Sequence, residues 1–187
     1  MDERKWIERI LAGDTQSFSC LVAKYEKMAY TIALRILENR EEAEEAVQDA
    51  FVKMYRVLSD FHFDSKFSTW FYRIVYRTAL TALRQQRMFV SYEEAGPVDL
   101  SNDEVESATA LLEREDRKEM IARTLKKLPA DEALLLTLYY LEECSVEEIC
   151  QITELSASNV KVKLFRGRKR FYEVLQDKMK LETADLL

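Results

Sequence analysis

The sequence predicts an all-α protein made of two small helical domains joined by an acidic linker. The 187-residue chain contains only three Gly and two Pro, so few positions interrupt a helix. Apolar residues recur at helical spacing over most of its length. A polar segment containing Gly96-Pro97 divides the chain near its middle. We therefore place the domains at 1–88 and 109–187, around a linker at 89–108.

The first domain is predicted to begin with two helices. Residues 2–12 have the pattern of a short amphipathic helix that ends at Gly13. Asp14 or Thr15 is suited to cap the second helix, which runs to about Leu37. Asn39 then marks a break before the third helix.

Residues 41–58 show the cleanest helical period in the chain. The apolar stripe consists of Ala43, Ala46, Val47, Ala50, Phe51, Met54, Val57 and Leu58. The opposite face begins acidic and ends basic, which suits the helix dipole. Solvation alone explains these charges, and a docking surface for a partner is the functional alternative.

Residues 66–87 predict a helix with a basic stripe. Its cations Lys66, Arg73, Arg77 and Arg84 lie within about 20° of one line on a helical wheel. Tyr72 and Tyr76 flank this stripe, while Trp70 lies between it and the apolar sector. Cations neutralise phosphates and rings stack on unpaired bases, so the pattern indicates single-stranded nucleic-acid binding. A core face with solvated arginines is the alternative.

The second domain is predicted to begin with two helices separated by Pro129. Ser101 and Glu104 form a candidate capping box for a helix that continues to about Leu128. The next helix, 131–141, is strongly apolar and should form the centre of the second core.

The last two predicted helices form a helix-turn-helix. Ser145 and Glu148 form a second candidate capping box, and a turn follows around Glu154. Ser156 then caps the final helix, predicted over 157–176. The residues expected at base edges are Ser158, Asn159, Lys161 and Val162. An ordinary αα-hairpin with a basic last helix is the alternative.

The charge distribution favours a polyanionic partner despite a net charge of −6. Residues 61–88 carry five Lys or Arg and one acid, and residues 161–170 carry six bases and no acid. Between them, residues 89–116 carry nine acids and one base. Two basic surfaces separated by an acidic segment suggest two contact points on one polyanion. The acidic linker could also lie over a basic surface in the free protein.

Little in the sequence indicates catalysis. His62 is the only histidine, so neither a histidine triad nor a multi-histidine metal site can form. Cys20, Cys144 and Cys150 are scattered and indicate reduced thiols. We expect no enzyme activity, no metal, no cofactor and no small-molecule substrate. The charged N-terminus and the lack of a long apolar run predict a cytoplasmic protein without membrane insertion.

Several motifs, in order, resemble those of bacterial RNA polymerase sigma factors of the extracytoplasmic-function (ECF) group. Phe67-Ser-Thr-Trp-Phe-Tyr-Arg-Ile74 resembles the FSTWLYRI motif of region two, and residues 43–56 resemble its preceding helix. Leu125-Lys-Lys-Leu-Pro129 resembles the start of region four. Residues 145–150 and 158–170 resemble its helix-turn-helix.

This resemblance implies a sigma factor that directs promoter-specific initiation. The implied partners are core RNA polymerase, promoter DNA and an anti-sigma factor. For the melted minus-ten element, the implied residues are Lys66, Trp70, Arg73, Arg77 and Arg84. For the minus-thirty-five duplex, they are Ser158, Asn159, Lys161, Lys163, Arg166 and Arg168. For polymerase they are Gln48, Asp49, Lys53 and Arg56, with Phe51 expected in the core.

The sequence also departs from the family pattern. Arg77 and Thr81 replace a common Asn and Asp, so a minus-ten preference does not carry over. Ala133 replaces an Arg, and Phe165 replaces a common His. One alternative is a sigma-like mimic that sequesters an anti-sigma factor without binding DNA. Another is a stand-alone helix-turn-helix regulator of duplex DNA.

Overall fold

The computed structural model describes residues 3–90 and 112–184, and side chains within 3–86 and 119–177. The first half contains four helices: α1 Glu3–Leu11, α2 Thr15–Leu37, α3 Arg40–Arg56 and α4 Phe67–Val90. The second half contains α5 Leu112–Lys126, α6 Ala130–Leu136, α7 Val146–Thr153 and α8 Ala157–Ala184. The described residues contain no strand, which confirms the all-α prediction.

Helices α2, α3 and α4 pack on one another, and α1 packs on α2. The largest fully buried side chains here are Ile7, Leu21, Ile32, Met54, Leu58, Phe71 and Val75. Burial of each such side chain contributes about 1.5–3 kcal/mol. Phe51 is also buried, as predicted. This core fixes which faces of α3 and α4 remain exposed.

Capping residues set the helix starts in this half. The Asp14 side chain accepts hydrogen bonds from the backbone N–H groups of Gln16 and Ser17. The Asn39 side chain accepts from the N–H of Glu42. The helix predicted over 41–58 ends at Arg56, and a 3₁₀ turn over Leu58–Asp60 follows.

In the second half, α6 packs against α8, and α7 packs against α8. Gly167 permits the close approach of α6, since a Cβ there would lie 3.2 Å from Leu136 Cδ1. The apolar helix predicted at 131–141 begins at Ala130 and widens into a π-helical turn over Thr137–Leu141. Tyr139, Tyr140 and Leu141 in this turn are partly exposed. The Ser101–Glu104 capping box and most of the predicted linker lie outside the described residues.

The two halves contact each other. Helix α4 packs against α7, and α2 packs against α6. The Arg35 guanidinium of α2 donates to the Leu125 carbonyl near the end of α5, at 3.2 Å. A cation at a helix C-terminus is electrostatically favourable. These contacts place α4 beside the predicted helix-turn-helix.

Candidate nucleic-acid interface

The predicted basic stripe forms on one face of α4, with Lys66 directly before the first residue of the helix. The Lys66, Arg73 and Arg77 side chains are 66%, 46% and 56% exposed, respectively. Arg84 is also exposed, one helical repeat further along. The apolar residues Phe71 and Val75 are fully buried on the opposite side. The stripe is therefore a solvent-facing row of cations on a rigid helix.

Carboxylates of the second half face this row. Lys66 Nζ lies 3.0 Å from Glu148 Oε1, in the first turn of α7. Arg73 Nη2 lies 3.2 Å from Glu154 Oε1, at the C-cap of α7. Arg77 donates to the same Glu154 oxygen from Nε, at 3.0 Å, and also from Nη2. Three of the four predicted cations are thus paired across the two halves.

The pairing shifts the titration of both carboxylates. Hydrogen bonds from Arg77 and then Arg73 hold the pKa of Glu154 below its usual value. Burial opposes the shift at Glu148, but the Ser145 backbone N–H and the Lys66 ammonium lower its pKa overall. The pKa of Lys66 is raised by its hydrogen bond to Glu148. Both carboxylates therefore remain charged at neutral pH.

The aromatic residues beside the row divide into two groups. Trp70 is half-buried, with its ring 5.1 Å from that of Phe61. Phe63 is 39% exposed and has a positive φ of 61°. Tyr72 is only 2% exposed, and its hydroxyl donates to Glu142 Oε2 at 2.8 Å. The prediction that Tyr72 stacks on bases is wrong in this arrangement, because its ring is part of the core.

The helix-turn-helix forms as predicted. Ser145 and Glu148 make both hydrogen bonds of the capping box at the start of α7. Ser156 Oγ accepts from the Asn159 N–H at the start of α8. The predicted recognition residues that are exposed on α8 are Ser158, Asn159, Lys161, Val162, Arg166 and Arg168.

Two predicted recognition residues of α8, Lys163 and Arg168, contact other groups of the second half. Lys163 is ion-paired with Asp131 of α6, and its side chain is 27% exposed. Arg168 directs Nε to the Leu164 carbonyl at 3.3 Å, and Nη1 lies 3.5 Å from the Tyr140 hydroxyl. Phe165 is 64% exposed among the cations. Lys163 therefore joins α8 to α6, a contact that sequence spacing did not reveal.

The predicted polymerase-binding residues share the outer face of α3. Gln48, Asp49, Lys53 and Arg56 are all exposed. Lys53 Nζ also lies 3.4 Å from Thr78 Oγ1 of α4.

Sequence reasoning missed the apolar part of this surface. Val52 and Tyr55 are each 48% exposed, and the Tyr55 ring lies 5.1 Å from that of Phe18. With Thr15 and Arg56, they line an open pocket of about 280 Å³. Phe18 also lines this pocket, a position that only the packed structure reveals.

Side chains of His, Cys, Asp and Glu form no metal-binding cluster within the described residues. The cysteines there are all free thiols. None of the described helices is both long and apolar enough to cross a membrane.

Comparison with protein families matches both basic surfaces to regions of one family. Residues 21–88, which include α4 as far as residue 88, match Sigma-70 region 2. Residues 118–171, which include α7 and the first half of α8, match Sigma-70 region 4. The chain belongs to the sigma-70 family. The exposed rows on α4 and α8 thus lie in separate regions of a sigma factor.

Curated relatives place this sigma factor in the ECF group. It is 31% identical over 181 residues to the RNA polymerase sigma-H factor of Pseudomonas aeruginosa, covering 93% of this chain and 94% of the relative. It is 30% identical over 170 residues to the ECF RNA polymerase sigma-E factor of Escherichia coli K12, covering 87% and 88%, respectively.

Solved structures share the fold. One is the sigma factor RpoE from Bartonella quintana in complex with the anti-sigma factor NepR, with a TM-score of 0.69 and 18% identity. The match covers 86% of this chain and 98% of that one. Another is CnrH in complex with the cytosolic domain of CnrY, with a TM-score of 0.61 and 20% identity. It covers 94% of this chain and 97% of that one.

Proposed function

We propose that this sigma factor binds core RNA polymerase and directs promoter-specific initiation through two DNA contacts. Helix α8 would bind the minus-thirty-five duplex, and α4 would bind the melted minus-ten strand. The main support is that the two exposed basic surfaces fall within the residues that match regions 2 and 4. Each surface has the charge needed to neutralise phosphates.

On α8, Lys161 and Arg166 are the main candidates for phosphate or base contact, since both are exposed. Ser158 and Asn159 lie in the first turn, where a recognition helix approaches base edges. Lys163 is kept only as a secondary candidate because Asp131 already neutralises it.

On α4, Lys66, Arg73, Arg77 and Arg84 would follow the phosphates of the opened strand. Trp70 would stack on an extruded base or support the bases from beside the row. Gln48, Asp49, Lys53 and Arg56 would contact polymerase from α3. The exposed Val52 and Tyr55 supply apolar area at the centre of that surface.

RNA synthesis itself would remain with polymerase, so we assign no catalytic residues to this chain. The protein would act in the cytoplasm, where polymerase and promoter DNA are found. An anti-sigma factor is included as a partner because the Bartonella quintana relative is solved with one. The division into domains at 1–88 and 109–187 is part of this proposal.

The test is co-purification of the tagged chain with bacterial core RNA polymerase, followed by run-off transcription from a panel of genomic fragments. We expect stoichiometric binding and new transcripts that begin at defined promoters. A quadruple alanine variant at Gln48, Asp49, Lys53 and Arg56 should lose polymerase while it remains folded. Absence of polymerase binding by the unaltered chain would contradict the proposal. Capture of an anti-sigma factor with no promoter-specific transcripts would instead support the mimic.

A further inference from the structure

Two neighbouring carboxylates at the start of α6 hold two cations of α8. Asp131 is ion-paired with Lys163, and Arg170 Nη1 lies 3.1 Å from Glu132 Oε1. Asp131 and Glu132 are adjacent in sequence, whereas Lys163 and Arg170 are two helical turns apart. The two cations therefore lie on one side of α8, about 10 Å apart along its axis.

Helices α6 and α8 approach most closely between these two ion pairs. A Cβ at Gly167 would lie 3.3 Å from Glu132 Cβ and 3.2 Å from Leu136 Cδ1. Gly167 falls between Lys163 and Arg170 in the sequence, so an ion pair lies on each side of this crossing point. Movement of α8 along its axis would lengthen at least one of the two pairs.

Glu132 is the buried member of this group of charges. It is only 5% exposed, and its buried Oε2 has no hydrogen-bond partner among the described residues. Arg170 compensates the charge through Oε1. A buried carboxylate is costly when its partner is lost, and an apolar residue of similar size often stabilises such a position equally well. Stability alone therefore does not account for a Glu at this position.

Asp131 is held in place by its own helix. Its Oδ1 accepts a hydrogen bond from the Glu132 N–H at 2.9 Å, while its Oδ2 contacts Lys163. The rest of α6 is anchored in the second core by the buried residues Ala133, Leu134, Leu135 and Leu136. Helix α6 is thus a fixed support from which both carboxylates reach α8.

The face of α8 that would read bases lies away from this contact. Ser158, Lys161 and Phe165 lie about 120–180° around the helix from Gly167. In a helix-turn-helix the first helix crosses the DNA backbone, so the register of the second helix within the domain determines which base each side chain reaches. Successive base pairs are about 3.4 Å apart. An axial shift of α8 by one residue, about 1.5 Å, would misplace its side chains by nearly half that spacing.

We propose that Asp131 and Glu132 are positioning residues for minus-thirty-five recognition, acting through Lys163 and Arg170. This inference rests on the proposed function, since it takes α8 as the helix that reads the duplex. The apolar contact between α6 and α8 is non-directional and does not by itself select one register. Two charge-assisted pairs on either side of the crossing point do select one. The carboxylates thereby set which bases α8 reads without touching DNA.

The experiment measures the affinity of full-length protein for two fluorescent duplexes. One carries the minus-thirty-five element of a promoter recovered from the run-off assay, and the other carries the same bases in shuffled order. The test variant combines Asp131→Asn with Glu132→Gln. The control combines Glu119→Gln with Glu173→Gln, whose ion pairs each lie within a single helix. Both variants lose two carboxylates and two ion pairs, but only the test variant alters the contact between α6 and α8.

We expect the ratio of promoter affinity to shuffled-duplex affinity to fall about tenfold in the test variant, roughly the effect of one mismatched base pair. Affinity for the shuffled duplex should be unchanged or higher, because Lys163 and Arg170 become available to phosphates. The control should keep the ratio of the unaltered protein. A purely structural role predicts a different result. Partial unfolding lowers the fraction of competent protein and weakens binding to both duplexes by the same factor, so the ratio would not change.

Urea unfolding tests the same contact without DNA. Arg170→Gln leaves the Glu132 carboxylate buried and unpaired, so it should lower the urea midpoint. Adding Glu132→Gln should restore most of the lost midpoint, because the uncompensated charge is then removed. The conservative change Arg170→Lys keeps the charge, and it should retain most of both the midpoint and the affinity ratio.

An unchanged affinity ratio in the test variant would overturn the proposal. Additive effects of Arg170→Gln and Glu132→Gln on the free energy of unfolding would also overturn it, since the two side chains would then not act as a pair. If the unaltered chain does not prefer the promoter duplex, the duplex contact of the proposed function is contradicted, and the inference falls with it. Urea unfolding distinguishes this case, because the coupling between Glu132 and Arg170 would still be observed.

Discussion

The Tyr72 hydroxyl, on a side chain that is 2% exposed in the first core, donates a 2.8 Å hydrogen bond to Glu142 Oε2 of the second half. Burial, followed by the nearby Glu142 carboxylate, raises the pKa of Tyr72 well above its usual value. The hydroxyl therefore remains a proton donor at physiological pH. One side chain thus belongs both to the core of one domain and to the contact between the two.

Tyr72→Phe should weaken the contact between the domains and leave the first core intact. The Phe ring preserves the buried apolar area, and only the hydrogen bond to Glu142 is lost. We expect a cost of about 1 kcal/mol. X-ray scattering should show a larger radius of gyration, and urea unfolding should show a small loss of stability. Tyr55→Phe, on an exposed residue of α3, is the control and should change neither quantity.

Lys161→Ala combined with Arg166→Ala should weaken binding to duplex promoter DNA and flatten its salt dependence. Each lost phosphate contact lowers the log–log salt slope by about 0.9. Lys163→Ala should change that slope less, because Lys163 is paired with Asp131. Fluorescence anisotropy with a promoter fragment recovered from the run-off assay measures the DNA affinity of both variants over a range of salt. An unchanged slope in the double variant would exclude this face of α8 as the duplex contact.

Gly167→Ala should destabilise the second domain despite the better helix propensity of Ala. The added Cβ would lie 3.2 Å from Leu136 Cδ1 and 3.3 Å from Glu132 Cβ. Propensity favours Ala by about 1 kcal/mol, whereas crowding in a packed contact costs about 1–3 kcal/mol. Urea unfolding should show a net loss. Adding Leu136→Val to the Gly167→Ala variant should recover part of the lost stability. If the two substitutions instead change stability additively, the contact between them is not the cause.

The contact between the domains should weaken as the pH falls. The pKa values of Glu148 and Glu154 are below their usual range when the domains are docked. Such groups stabilise the docked state when the pH is above their usual pKa. This contribution to stability is lost as the pH falls through the lowered pKa values. Scattering between about pH 7 and pH 3.5 should show the domains separating in the acid part of the range. The variant that combines Glu148→Gln with Glu154→Gln should show no such transition. If it shows the same transition as the unaltered protein, other titrating groups cause the separation.

Local signals were sufficient to predict much of the fold. Asp14, Asn39 and Ser145 begin helices where the sequence indicated, because a capping side chain bonds to backbone groups only two or three residues away. The widening over Thr137–Leu141 was not predicted, since π-helical and α-helical turns bury similar apolar patterns.

The sequence by itself determined the helices, the two basic faces and the family, because each depends on periodicity or motifs over a short range. Only the tertiary structure decided which charges are free. Lys163 pairs with a residue 32 positions away, and Tyr72 bonds to one 70 positions away. Spacing along one helix does not specify such partners. Glu154 faces Arg73 and Arg77 because α7 packs against α4, and this packing determines which cations of the row are paired.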